Sequence, residues 1–359
     1  MIPIEYIRSS SYNTHSMCPT KYFGEYVLGF TSPPGIKANK GTICHKVCEI
    51  LAIWKLTHQN GESYFSDDEI LGQCFINGLE SITQDSTSKE LDIDAILELV
   101  YEYYVERDKD NFWSPADYRE CRLWTYKILQ YNDGNFHAFN QNIVQPEQKF
   151  DIELKQDWAK YEDDGLEKYL KIKGTIDLIT KVDDNTYEII DWKTGKRINW
   201  ATGEEKTYEY LCNKDFQLRL YHYAVSLLYP HIENILVTIV FINDGGAFTV
   251  AFGKSDLHDT AELIRKKFEE IKNTEKLETK YGLPCRFCDF SKKTFGEISD
   301  GQISDIKAQR KLKFTEAGEN MKVCDCLKYI NRFKSIKDMT ENLSKEDHEI
   351  GFYSAPGAT

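Results

Sequence analysis

The hydrophobic pattern of the chain changes at Pro146, and this change constrains the fold more than any other feature. Upstream, apolar residues recur at helical spacing, as in residues 41–58. Downstream, residues 168–181 and 186–192 alternate between apolar and polar residues, as strands do. The other predicted elements are helices at 67–82, 92–108, 115–140, 215–229 and 256–278 and strands at 148–154, 235–242 and 247–252. Together they predict a mixed α/β core that carries an N-terminal helical insertion.

The same change in pattern divides the chain into four expected segments. Residues 1–60 form an N-terminal segment with the first core helix, and residues 61–145 form a helical subdomain. Residues 146–290 form the α/β core. Residues 291–359 form a polar C-terminal extension that we expect to be loosely held.

Composition and charge narrow the classes of function that the chain can have. A hydrophobic content of 41% is ordinary for a globular protein, and no apolar run approaches the roughly 18 residues that a membrane span needs. Because the start at Met1 lacks the basic and apolar stretches of a signal peptide, we expect a cytoplasmic protein with no membrane partner. The net charge of −13 argues against broad binding of a polyanion. A local basic path beside a carboxylate metal site is still compatible with this charge.

The densest chemical signal is a pair of aspartates at the ends of two neighbouring strands. Asp177 closes the motif Gly-Thr-Ile-Asp, and Asp191 opens the motif Asp-Trp-Lys-Thr-Gly. A hairpin would bring these like charges together, and a hard cation such as Mg²⁺ would relieve their repulsion. Lys193 shares a strand face with Asp191, so its ammonium could orient a water there, and the Trp192 carbonyl could add a ligand. A solvated strand end is the plainer interpretation of an Asp-x-Lys triplet alone.

Two helical segments carry further candidate residues. Gln217 and Tyr221 are separated by one helical turn and therefore share one face of a predicted helix. His45 follows Gly41 and Thr42, which places an imidazole on the first turns of another predicted helix. An ordinary amphipathic face and a structural histidine are the plainer interpretations of these two features.

Taken in chain order, six short motifs resemble the RecB-like branch of the PD-(D/E)xK nucleases, which includes exonuclease domains of recombination and of CRISPR adaptation. Their order, spacing and predicted contexts agree across positions 9 to 290, although each motif alone is common. The motifs are Cys-Pro-x-x-Tyr at Cys18 to Tyr22, Gly-Thr-x-x-His at Gly41 to His45, Gly-x-x-Asp at Gly174 to Asp177, Asp-x-Lys-Thr-Gly at Asp191 to Gly195, Gln-x-x-x-Tyr at Gln217 to Tyr221, and Cys-x-x-Cys at Cys285 to Cys288.

The resemblance implies a fold and a role for each matching residue. The fold would be the restriction-endonuclease-like core, in which helices flank a mixed central sheet. The implied ligands for Mg²⁺ or Mn²⁺ are His45, Asp177, Asp191 and the carbonyl oxygen of Trp192. Lys193 would position the attacking water. Gln217 and Tyr221 would lie beside the site and contact the scissile phosphate or the lysine.

Many members of the resembled group also hold a 4Fe–4S cluster on four cysteines. The cysteines that match this pattern are Cys18, Cys285 and Cys288. Thr294 stands where the last cysteine is expected, so Cys324 or Cys326 would have to supply the fourth ligand across a longer loop. A zinc ion on the same thiolates and a site without metal are the alternatives.

The function expected from the sequence is metal-dependent cleavage of DNA by an exonuclease that processes ends in recombination, repair or replication. Fitting protein partners would be a helicase, a single-strand-binding protein or an annealing protein. The alternative is a non-catalytic subunit that binds DNA ends or assists assembly while keeping the nuclease fold. The missing cysteine and the acidic charge leave room for that alternative, whereas the complete set of histidine, aspartates and lysine favours an enzyme.

Overall fold

A computed structural model describes residues 4–22, 25–26, 34–60, 92–109, 111–163, 165–199 and 203–274 of the chain. The described helices are α1 (Ser9–Met17), α2 (Pro19–Tyr22), α3 (Ile36–Asn60), α4 (Ile93–Arg107), α5 (Pro115–Gln130), α6 (Tyr208–Asn213), α7 (Phe216–Leu228) and α8 (Asp256–Lys272). The described strands are β1 (Tyr6–Ile7), β2 (Ile143–Glu153), β3 (Lys160–Asp163), β4 (Leu166–Tyr169), β5 (Lys171–Lys181), β6 (Thr186–Lys193), β7 (Asn234–Phe241) and β8 (Gly246–Phe252).

A six-stranded mixed sheet forms the centre of the fold, while β3 and β4 pair with each other. β5 lies between β2 on one edge and β6 with the short β1 on the other, and β7 and β8 continue the sheet beyond β6. The pairs β2–β5, β5–β6 and β7–β8 are antiparallel, whereas β1–β5 and β6–β7 are parallel. The parallel pair β6–β7 is joined through α6 and α7, because parallel strands need a long crossover rather than a tight turn.

Each face of the sheet is covered by its own hydrophobic core. The alternation along β6 directs Ile189 to one face and Ile190 and Trp192 to the other, and all three side chains are buried. Helices α7 and α8 pack on the face of Ile189. Helices α3, α4 and α5 pack on the face of Ile190 and Trp192. This arrangement confirms the predicted fold class, a mixed central sheet flanked by helices.

The predicted start of the first core strand at residue 148 was wrong, because β2 begins at Ile143 and runs through Pro146. Proline has no N–H to donate to a sheet and is therefore tolerated mainly at sheet edges. Among the described strands, β2 pairs with β5 alone. The missing N–H of Pro146 therefore does not interrupt pairing with a strand on the other edge of β2.

Three predicted helix boundaries were also wrong, and one of them is the end of the helix expected at 256–278, which ends at Lys272. The helix expected at 115–140 ends at Gln130, where Asn132 (φ 49°) and Asp133 (φ 56°) adopt left-handed backbone conformations that stop a right-handed helix. The helix expected to begin at residue 41 begins at Ile36. His45 therefore lies in the interior of α3 and not on its first turns.

Several predicted features lie outside the described residues. They are the helix at 67–82, the C-terminal extension and the cysteines Cys285, Cys288 and Cys324. The division of the chain into four segments stays a prediction. Among the helices that the structure describes, none combines the length and the apolar character needed to cross a membrane.

Candidate active site

The hairpin of β5 and β6 brings the two predicted aspartates together. Leu178 pairs with Ile190 across the hairpin, so Asp177 and Asp191 lie on neighbouring strands beside this pair. The backbone N–H of Trp192 donates a hydrogen bond of 2.9 Å to Oδ2 of Asp177. Asp191 is fully buried and Asp177 is 9% exposed. Two carboxylates are thus held in an environment where an ionised group needs a counter-charge.

Lys193 supplies a counter-charge for the more deeply buried aspartate. Its Nζ lies 2.6 Å from Oδ2 of Asp191, and 31% of the lysine side chain is exposed. Burial disfavours the charged lysine, but the negative charges of Asp191 and Asp177 outweigh this effect and raise the pKa of Lys193. The ammonium is therefore held in place and charged, with part of its surface facing the cleft.

Helix α7 holds Asp191 from the other side. Nε2 of Gln217 donates to Oδ1 of Asp191 at 3.2 Å and to the hydroxyl of Tyr221 at 2.7 Å. The Tyr221 hydroxyl in turn donates to the backbone carbonyl of Thr175 in β5 at 2.8 Å. Asp215 caps α7 and accepts the backbone N–H of Gln217 at 3.0 Å, which fixes the first turn of the helix. These bonds link α7 to both central strands and orient the Asp191 carboxylate.

Helix α3 places His45 beside Asp177, the aspartate that does not pair with Lys193. Nδ1 of His45 lies 3.4 Å from Oδ2 of Asp177. The helix can approach the loop after β6 because Gly41 has no side chain. A Cβ at Gly41 would lie 3.0 Å from Oγ1 of Thr194. The glycine of the Gly-Thr-x-x-His motif thus allows close packing that positions the histidine four residues further along α3.

The structure adds Glu147, which the sequence analysis missed. Its backbone is left-handed, with φ of 42°, an uncommon conformation for a residue other than glycine. It lies in β2 between the cross-strand pairs Pro146–Leu178 and Gln148–Ile176, next to the position of Asp177 on β5. One donor atom from each of His45, Glu147 and Asp177 lies within 4.8 Å of those of the other two.

The charges of this cluster perturb one another strongly. Burial lowers the pKa of His45, but the carboxylate of Asp177 outweighs burial and raises the pKa to about 9. Burial raises the pKa of Asp177, but the positive charge of His45 outweighs it and lowers the pKa. Burial and the charges of Asp177 and Glu49 raise the pKa of Glu147 to about 8. Burial, with Lys193 opposing it, raises the pKa of Asp191 to about 6.

An open cleft of about 470 Å³ gives access to these groups. Helices α3 and α4, the middle of β2 and of β5, and the end of β6 with the loop after it line this cleft. The lining residues with polar or charged side chains are Thr42, His45, Lys46, Glu49, Tyr104, Glu147, Thr175, Asp177, Lys193 and Thr194. The aspartate, lysine and histidine motifs of the sequence therefore converge on one solvent-accessible space.

The donor set of this cleft fits a divalent cation. His45, Glu147 and Asp177 offer one imidazole nitrogen and two carboxylates, a combination suited to Mg²⁺ or Mn²⁺. A cation there would also offset the burial and the carboxylate repulsion that together raise the pKa of Glu147. Asp191 instead contacts Lys193 and Gln217, so its predicted role as a ligand, like that of the Trp192 carbonyl, stays a prediction.

Of the four cysteines predicted to bind a metal cluster, Cys18 is the one that lies in the described part of the chain. Cys18 directly follows α1, and its free thiol is half-buried. The metal cluster predicted for Cys18, Cys285, Cys288 and Cys324 therefore stays a prediction.

The fold and the site define a class of protein, a mixed α/β core whose central strands carry carboxylates and a lysine and whose helix α3 adds a histidine. A model of the PD-(D/E)XK nuclease superfamily matches residues 9–292 of the chain. The chain belongs to this superfamily and is a hydrolase that acts on nucleic acids.

Solved structures with similarity to the chain include two distant ones. A "Putative exonuclease" from Eubacterium rectale is 14% identical, with a TM-score of 0.33, over 75% of this chain and 80% of that one. The protein SSO0001 is 17% identical, with a TM-score of 0.26, over 55% of this chain and 73% of that one. No curated protein matches the chain.

Proposed function

We propose that the protein is a metal-dependent deoxyribonuclease that hydrolyses phosphodiester bonds at DNA ends. The observation that carries the proposal is the convergence of His45, Glu147 and Asp177 beside the ion pair of Asp191 and Lys193. A purely structural arrangement would gain nothing from placing so many ionisable groups around an open cleft, because each one is costly to bury.

Each residue of the site has its own proposed role in hydrolysis. His45, Glu147 and Asp177 would hold the divalent cation, which supplies positive charge at the phosphate and acidifies water. Lys193 faces the cleft and orients the attacking water, and Asp191 keeps the lysine in position. Gln217 and Tyr221 hold Asp191 in place and lie one layer behind the reacting groups. For these two residues we propose a positioning role rather than direct contact with the phosphate.

The choice of DNA ends as substrate rests on the order of the motifs rather than on the geometry of the cleft. That order resembles the RecB-like branch, whose members are commonly exonucleases that act on DNA. A nuclease of this kind fits recombination, repair or replication, with a helicase, a single-strand-binding protein or an annealing protein as partner. Mg²⁺ is the proposed physiological ion, and Mn²⁺ is the proposed substitute for it.

The test compares end-labelled linear DNA with covalently closed circular DNA in Mg²⁺, in Mn²⁺ and in EDTA. Lys193→Met removes the ammonium of the site but keeps most of the side-chain volume. Lys181→Met is the matched control, because Lys181 lies at the end of β5 and pairs there with Asp184 at 2.6 Å, outside the cleft. We expect metal-dependent loss of the linear DNA alone, by the wild type and by the control but not by Lys193→Met.

Each component of the proposal has its own contradicting result. Cleavage of circular DNA at the same rate would replace the exonuclease by an endonuclease. Equal activity of Lys193→Met would remove the lysine from the mechanism. A wild-type protein that binds DNA ends but cleaves nothing in either metal would favour the non-catalytic subunit.

A further inference from the structure

A second lysine lies in the cleft and has no role in the mechanism described so far. Lys46 follows His45 on α3, and its Nζ lies 2.5 Å from Oε2 of Glu49, one turn further along the helix. Both side chains are only 11% exposed, and both line the same cleft as Glu147 and Asp177. An ion pair so nearly removed from solvent differs from the exposed pairs that contribute little to stability.

The strand order of the sheet and the course of α3 across it place the two lysines on opposite sides of Asp177. The strand order is β2, β5, β6, and these strands carry Glu147, Asp177 and Lys193 respectively. Lys193 therefore belongs to the β6 side of the cleft. Helix α3 crosses these strands in the opposite order, because its Gly41 lies beside Thr194 after β6, its His45 beside Asp177 in β5, and its Gln59 bonds to the backbone of Ile143 in β2. Glu49 follows His45 in this direction and Lys46 pairs with Glu49, so this pair belongs to the β2 side.

In-line displacement at phosphorus needs groups on two opposite sides. The attacking water approaches from one side, and the leaving oxygen departs on the other with a developing negative charge. If Lys193 orients the water, the leaving oxygen points towards the β2 side. The ammonium of Lys46 is the positive charge that α3 presents there.

We propose, on the basis of the nuclease activity proposed above, that Lys46 contacts the leaving 3′ oxygen and stabilises its negative charge, and that Glu49 positions Lys46. The water oxygen forms a bond to phosphorus while the bond from phosphorus to the 3′ oxygen breaks, and its electron pair stays on that oxygen. The water gives up one proton to solvent, and the 3′ oxygen takes one from solvent. One water is thus consumed, and the products are a 5′-phosphate end and a 3′-hydroxyl end.

The test replaces the leaving oxygen by sulfur. A 3′-thiolate is a better leaving group than an alkoxide because its pKa is much lower, so it needs less help from a cation. Single-turnover cleavage of a normal linkage and of a 3′-S-phosphorothiolate linkage is measured in Mn²⁺, which accepts oxygen and nitrogen ligands and some sulfur. Lys46→Met should lose about 100-fold to 1000-fold on the normal linkage, the usual effect of removing one group that stabilises an oxyanion. It should stay within about threefold of the wild type on the sulfur linkage.

Three further variants keep the test independent of folding and of metal binding. Lys46→Arg retains the charge and should retain most of the activity. The double variant Lys46→Met with Glu49→Gln removes both charges of the pair. It should show the same pattern as Lys46→Met, a large loss on the normal linkage and activity near that of the wild type on the sulfur linkage. Lys193→Met should lose activity on both linkages, because water still has to be positioned. The rise in melting temperature that Mn²⁺ produces without DNA should be the same in Lys46→Met as in the wild type.

The outcomes separate this inference from the nuclease function itself. If the wild type cleaves the normal linkage and Lys46→Met cleaves it equally well, the inference is overturned and the function stands. Equal losses of Lys46→Met on both linkages also overturn the inference, since they assign the lysine to another step. A wild-type protein that cleaves neither linkage overturns both proposals.

Discussion

The glycine of the Gly-x-x-Asp motif gives a sharp test of how the site is supported. Gly174 in β5 lies directly opposite Phe150 in β2. A Cβ at Gly174 would lie 2.5 Å from Cζ and 2.8 Å from Cε1 of Phe150, closer than carbon atoms can approach. The ring is 5% exposed and packs edge-on against Tyr221, with 6.4 Å between ring centroids. It therefore cannot move aside without disturbing the residue that holds Gln217.

The magnitude for Gly174→Ala follows from two opposing effects. Forcing a methyl group into this contact should cost about 3 kcal/mol, the upper end for overpacked cores. Replacing glycine by alanine also restricts the unfolded chain, which recovers up to about 1 kcal/mol. We therefore expect the free energy of unfolding to fall by about 2 kcal/mol.

The assay is equilibrium unfolding in urea, with Gly253→Ala as the matched control. Among the residues that the structure describes, no atom outside its immediate neighbours lies within 4 Å of a Cβ at Gly253. This variant should therefore stay within about 0.5 kcal/mol of the wild type. Phe150→Leu should relieve the clash, so the double variant with Gly174→Ala should be more stable than the sum of the single effects predicts. A Gly174→Ala protein as stable as the wild type would refute the reasoning.

Two further predictions concern metal and pH. Mn²⁺ at 100 times its dissociation constant should raise the free energy of unfolding by about 2.7 kcal/mol. Glu147→Gln should lower that rise by about 1.4 kcal/mol, which corresponds to a tenfold loss of affinity. A rise that is the same in Glu147→Gln as in the wild type would remove Glu147 from the set of metal ligands. Burial lowers the pKa of His222 from 6.5 to about 4. Between these pH values the histidine is therefore protonated in the unfolded chain and neutral in the folded one. The free energy of unfolding of the wild type should fall by about 3 kcal/mol as the pH falls through this range. His222→Phe, whose ring can stack on Phe252 as the imidazole does, should lose this part of the pH dependence in urea titrations, and equal slopes for both proteins would contradict the assignment.

The strand-borne part of the site could be predicted because its geometry is local. Successive side chains of a strand alternate between faces, so Asp191 and Lys193 had to share one face once β6 was recognised. The turn between β5 and β6 then determined the register that brings Asp177 beside them. The same reasoning applies to Gln217 and Tyr221, since one helical turn separates them on α7.

Glu147 could not be predicted because its place depends on structure far from it in sequence. The predicted strand began at residue 148, after Pro146, whereas β2 passes through Pro146 and pairs with β5 from Ile143 to Glu153. The left-handed backbone at Glu147 is visible only in the folded chain. The available signal was an acidic residue directly after a proline within a strand that borders the strand of Asp177, and it becomes meaningful only when the pairing is known.

The local charge of the cleft explains how a chain with a net charge of −13 can act on a polyanion. The cleft is lined by three carboxyl groups, those of Glu49, Glu147 and Asp177, and by three groups that can carry positive charge, those of His45, Lys46 and Lys193. Without a cation, the cleft therefore offers a phosphate little net positive charge. Binding of a divalent cation requires a neutral imidazole and so releases the proton of His45. It still leaves the site without net negative charge, so productive binding of DNA should require the metal even where cleavage does not occur.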